Sequence, residues 1–182
     1  MGTIHPDLAW DTPLNELNGS LRAAGVEPVA LDEPPLRSAR DLDTPTRGAL
    51  VAALLQSVSQ ARVDAPPVAQ WLAMSESLLM NDDGSEAARK RADTFWLNLT
   101  RIVHGSLALV MLGELSELPF FVELLRYQPA GHLTEMATHV LCHYVDPSCE
   151  LDTPRLIQRA EEWRRTLPTE APPTSQVSSL EF

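Results

Sequence analysis

Asp-Thr-Pro occurs three times in this chain, at 11–13, 43–45 and 152–154, each time directly ahead of an apolar-periodic stretch. A threonine hydroxyl can accept from an orphan N–H of a first helical turn. Proline at the next position loses nothing, since its missing N–H would have had no partner there. The preceding aspartate adds negative charge near the positive end of the helix dipole. Thr12-Pro13, Thr44-Pro45 and Thr153-Pro154 are therefore expected to start three helices. The unequal intervals between them argue against a repeated functional module.

Apolar spacing of three and four residues then sets out the rest. Helix is expected over about 13–24 (Leu14, Leu17, Leu21; stopped by Gly25) and 45–62 (Leu50, Val51, Leu54, Leu55, Val58). Further helices are expected at 67–80 (Val68, Trp71, Leu72, Leu78, Leu79) and from 86 towards 115, with a break at Gly105. The last three cover about 118–127, 132–145 and 154–166. Ser85 is expected to cap the fourth helix, and residues 26–43, with three prolines, read as an extended connection. No alternating pattern marks a strand. The fold class is all-α, with about seven helices in an irregular bundle or a short solenoid. The expected organisation is an N-terminal helix plus Pro-rich connection over 1–43, a helical domain over 44–167 and a disordered tail over 168–182. The tail ends in Val-Ser-Ser-Leu-Glu-Phe, a candidate short docking motif.

Composition narrows function by exclusion. Of 182 residues 44% are hydrophobic, enough for a core, while aromatics are 5% and glycine only 8 residues, which favours helix. The formal net charge of −11 repels phosphate backbones, so nucleic acid is not an expected partner. Arg89-Lys90-Arg91 and Arg164-Arg165 are short basic clusters flanked by acids and read as solvated faces. No apolar run is long enough to span a membrane, and the N-terminus lacks the basic start and apolar stretch of a secretory leader. The cytoplasm is the expected location. Two cysteines, Cys142 and Cys149, are too few for a disulfide framework.

Two segments align 29 residues apart, "ALVMLGELSE" from Ala108 and "ATHVLCHYVD" from Ala137, matching Ala108 to Ala137, Leu112 to Leu141 and Glu117 to Asp146. Each precedes another short amphipathic helix. The stretch "SLALVMLGELSELPFFVELLR" resembles a HEAT-type repeat of the short bacterial kind, and the resemblance covers roughly residues 94–167. It implies stacked helix pairs with a broad free surface. Cys142 stands where the first unit has Gly113.

One cluster has the residue types for chemistry. His132, Glu135, His139 and His143 fall at helical spacing on one face, where imidazoles at i and i+4 can share a metal ion. The order is not that of zinc peptidases, and no phosphate loop, nucleophile elbow or dinucleotide fingerprint occurs. Trp71, Phe95, Trp96, Phe120, Phe121 and Trp163 are expected in the core. The leading expectation is a non-enzymatic acidic scaffold, adaptor or regulatory protein, in a bacterial assembly or immunity-type complex. It needs no cofactor and binds a protein with a basic patch. The expected contact residues are Glu114, Glu117, Glu123, Glu135, His139, His143, Glu161 and Glu162. The alternative is a metal-binding or metal-sensing protein using His132, Glu135, His139 and His143.

Overall fold

A computed structural model describes residues 12–30, 38–81, 83–128 and 131–166. Among them are seven α-helices and no strand: α1 (Leu14–Ala23), α2 (Thr44–Asp64), α3 (Trp71–Met80), α4 (Glu86–Met111), α5 (Leu118–Tyr127), α6 (His132–Val145) and α7 (Thr153–Thr166). The all-α expectation is met. Three short 3-10 turns, at Ala39–Asp41, Val68–Gln70 and Leu115–Glu117, lead into α2, α3 and α5.

The helix starts lie where the Asp-Thr-Pro segments predict, but at α2 and α7 a different residue caps them. At α2 the Asp43 carboxylate accepts from the Thr46 N–H at 2.8 Å and from the Thr46 hydroxyl at 3.0 Å. These bonds hold its carboxyl below the usual carboxylate range. At α7 the Asp152 carboxylate accepts from the Arg155 N–H at 3.1 Å. Thr44 and Thr153 are the first helical residues instead. A carboxylate one residue further out reaches the orphan N–H groups and also complements the dipole, so it displaces the threonine. Before α1, Thr12 is buried and its hydroxyl has no partner among the described residues. Asp11 lies outside them. Ser85 caps α4 as expected, accepting from the Ala88 N–H at 3.1 Å.

α1 and α4 both end in a reversed turn on glycine. Gly25 (φ 76°) and Gly113 (φ 90°) take the left-handed conformation that glycine adopts without penalty. Behind them Val26 N–H donates to Leu21 O at 2.8 Å and Glu114 N–H to Leu109 O at 2.9 Å. Such bonds satisfy carbonyls that the last turn leaves open.

α4 is the post around which the rest is built. It runs unbroken through Gly105, contrary to the expected interruption. Glycine serves a different purpose there. A Cβ on Gly105 would stand 2.3 Å from Val58 Cγ2 of α2 and 3.6 Å from the Ala24 Cβ. The glycine lets α1, α2 and α4 meet at close range. Leu14, Leu17 and Leu21 of α1 join Leu50, Leu54, Val58 and Ala61 of α2 in the core, against Leu99, Ile102 and Leu109 of α4. The N-terminal helix thus belongs to the same core as the rest. On the other side α5, α6 and α7 pack on one another, through Phe121, Leu124, Val140, Leu141 and Leu156. The Tyr144 hydroxyl donates to Val110 O of α4 at 3.0 Å, and burial pushes this phenol up to about 12.

Gly105→Ala should therefore destabilise the protein by about 1–3 kcal/mol, since an added methyl must displace α2. Denaturant unfolding checks this. Combined with Val58→Ala the loss should be less than the sum of the two single effects, because both changes act on one contact.

Candidate functional site

Two regions stand out once the helices are placed: a cleft beside a buried ion pair where α2 meets α5, and a water-facing apolar surface on α3 and α4.

Glu117 anchors the first. It ends the 3-10 turn before α5 and is only 6% exposed. Arg62, on the last turn of α2, donates from Nη1 to Oε1 at 3.2 Å and from Nη2 to Oε2 at 2.5 Å. The buried Ser106 hydroxyl of α4 donates to the same Oε2 at 2.6 Å. Three elements distant in sequence are thereby tied by one carboxylate. The Arg62 guanidinium also lies 5.5 Å over the Phe120 ring, within the range of a cation–π contact. Above it opens a cleft of about 390 Å³ with Pro66, Pro67, Val68, Trp71 and Phe120 in its wall and Glu123 at its edge. Trp71 Nε1 donates to Pro66 O at 2.8 Å, so the indole is fixed as part of that wall.

Of the expected contact carboxylates, Glu117 is consequently withdrawn from the surface. Glu117 points inward and its oxygens are held by Arg62 and Ser106. Glu123 stands exposed at the cleft. Glu161 is paired with Arg126 of α5, and Glu162 accepts from Gln158 on its own helix at 2.9 Å. Glu114 accepts from Ser116 N–H at 3.2 Å as the cap of a turn. Glu135, His139 and His143 are exposed along α6.

Among the described residues no three His, Cys, Asp or Glu side chains come close enough to hold a metal ion. His132, Glu135, His139 and His143 share a face of α6 but are strung along about 16 Å of its axis at 1.5 Å per residue. Burial, then the charges of His139 and Arg40, lowers the His143 pKa below 6.5. Burial, then the charge of His132, lowers that of His104 on α4. Cys142, beside that face, is bonded to Cys149 in a disulfide across the α6–α7 turn. Two cysteines seven residues apart, one on a helix and one in the following loop, are near enough to pair. Counting cysteines does not show that.

The second region departs most from the sequence reading. α3, "WLAMSESLLM", is the most apolar of the seven helices, and Trp71 is its only buried residue. Trp71, Ser75 and Leu78 turn inward, at i, i+4 and i+7. Leu72 and Leu79, expected in the core, face water, with Leu79 73% exposed and Met80 85%. Trp96 of α4 is likewise 46% exposed, although its neighbour Phe95 is buried. Clefts open on both sides of the α3–α4 pair and meet at Leu78. One, of about 470 Å³, is lined by Met74, Leu78, Ala87, Lys90, Arg91 and Phe95. The other, of about 170 Å³, is lined by Leu78, Leu79, Ala88, Arg89 and Trp96. The Arg89-Lys90-Arg91 run thus edges an apolar surface. Leu72, Met74, Leu79, Met80 and Trp96 are all exposed on this surface.

Compared with protein-family models, with curated proteins and with solved structures, the chain matches none.

Two outcomes are expected. Arg62→Met, which leaves a carboxylate buried beside a hydroxyl, should cost about 3 kcal/mol or more in denaturant unfolding. Glu117→Gln, which keeps the shape and frees a guanidinium already 41% exposed, should cost less. The two lowered histidines set a pH dependence. The unfolded chain takes up protons first as pH falls through 6.5, so stability drops below that point until the folded groups also titrate. Melting temperature against pH in His104→Asn should slope less steeply.

Proposed function

We propose that this protein is a non-enzymatic helical scaffold or adaptor that works by docking another protein, with the α3–α4 surface as its principal docking face. One observation carries this reading: the most apolar helix buries a single residue and turns Leu72, Leu79 and Met80 to water. Burial of apolar surface returns roughly 25 cal/mol per Å², so a surface of this kind associates when a complementary one is offered. The exposed carboxylates Glu123 and Glu135, with Glu161 and Glu162 of α7, are proposed as a second contact suited to a basic patch.

The HEAT-like reading of residues 94–167 belongs to the same proposal. In its support, the paired positions Ala108 and Ala137 are both buried, as are Leu112 and Leu141. The two units end differently. Gly113 reverses the chain after α4, whereas α6 continues past Cys142 to Val145. A docking role for the final Val-Ser-Ser-Leu-Glu-Phe concerns residues outside those described.

No helix among the described residues is long and apolar enough to cross a membrane. The setting proposed is the cytoplasm, and the Cys142–Cys149 bridge tests it. Such a pair stays oxidised in an oxidising compartment and is kept reduced in the cytosol. Thiol labelling of protein taken directly from its host should find both cysteines free if the cytoplasmic placement holds.

The docking reading is checked by affinity capture from the native host with the wild type and with Leu79→Glu/Met80→Glu. Both side chains are exposed, so the variant should keep its helical circular dichroism and melting temperature. A set of captured proteins that depends on these two residues supports the reading, and an unchanged set overturns it.

A further inference from the structure

We infer that the occupant of the α3–α4 face is a second copy of this chain, joined through a two-fold interface in which each copy supplies both a knob and a hole. The inference rests on the docking reading above and names the partner for the same surface. A two-fold interface requires one patch to complement itself: what residue i of one copy offers, residue j of the other must receive, and the reverse.

This patch has both halves in relief. Leu79 and Met80 protrude at the end of α3, beside the turn into α4. The hole is the cleft of about 470 Å³ between the end of α2, α3 and α4, with Met74, Leu78 and Phe95 in its wall. Knob and hole lie on the same helix pair, so a half-turn that seats one copy's knob in its partner's hole seats the second knob in the first hole.

Charge fits the same arrangement. Over the described residues of 71–98 the basic Arg89, Lys90 and Arg91 are interspersed with the acidic Glu76, Asp83, Glu86 and Asp93. Both signs are present side by side, whereas the whole chain, at −11, repels copies of itself over the rest of its surface. The apolar character is also that of a homodimer interface, which resembles a core cut in half. A flat anionic bilayer suits the face less well. It has no side chains to fill the clefts, and Asp83 and Glu86 sit at the same tip as Met80.

Sedimentation velocity of the full chain, from about 1 to about 100 µM, tests the inference. The wild type should shift from monomer to dimer within that range. Leu79→Glu/Met80→Glu removes the knobs, and Ala87→Trp, at an exposed position in the cleft wall, fills the hole. Each variant alone should raise the dimer dissociation constant at least about tenfold, with circular dichroism confirming the fold. An equimolar mixture of the two should form a heterodimer, since one intact knob then meets one intact hole.

A wild type that stays monomeric overturns the inference, and so does a dimer indifferent to both variants or a mixture that forms no heterodimer. A monomer that co-sediments with vesicles of anionic phospholipid overturns it in favour of a membrane surface. If the protein is monomeric but its captured partners still depend on Leu79 and Met80, the second copy is ruled out and the docking reading stands. If neither holds, both fall.

Discussion

The length of α4 governs the rest of this molecule. Its 26 residues extend about 39 Å at 1.5 Å per residue. Only its C-terminal half is enclosed: from Ile102 to Met111, eight of ten positions are buried, including four in succession, Ala108 to Met111. A helix buried all round must be apolar all round, or carry polar groups that are satisfied. Ser106 is the polar exception, and its hydroxyl is used by Glu117. The N-terminal half buries little beyond Ala88, Phe95 and Asn98, and clefts open between it and α3. One short helix cannot cover both sides of it. Apolar surface is left uncovered there because α3 has only ten residues and buries Trp71 alone.

Gly105 and Glu117 show how the enclosed half is held. Glycine brings the α2 backbone close enough for Val58 to occupy the space of a missing methyl, and the gain is dispersion and shape fit. Glu117 works by charge. Its carboxylate joins the end of α2, the middle of α4 and the start of α5, through partners 55 and 11 residues away in sequence. Removing either partner leaves the others worse off than before they met, which gives such a network its specificity. The cleft beside it has rigid walls for the same reason: Arg62, Trp71 and Phe120 are each fixed by a directed contact.

The open half and the enclosed half divide the labour of the proposed scaffold. The enclosed half, with α1, α2 and α5–α7, supplies stability, while the open half offers surface. α7 is attached lightly, burying only Leu156 and Ala160, with the Tyr144–Trp163 ring contact and the Arg126–Glu161 pair as further ties. The disulfide from Cys142 to Cys149 shortens the tether between α6 and α7. By the loop-entropy argument a bridge of this span stabilises by about 2–3 kcal/mol.

What the sequence determined alone is local. Apolar spacing placed α5 and α6 to the residue, and the Asp-Thr-Pro segments and Ser85 marked helix starts, because capping and periodicity depend on neighbours within a turn or two. Periodicity also gives the width of an apolar stripe, which is why Leu72, Leu79 and Trp96 read as core. It carries no information on whether a neighbour exists to cover that stripe. Only the tertiary structure decided that α3 faces water, that Glu117 turns inward to Arg62 and Ser106, that Gly105 serves contact with α2, and that Cys142 reaches Cys149. Each of these depends on the packing of whole elements around α4, and such packing is set by distances between residues that the chain order keeps apart.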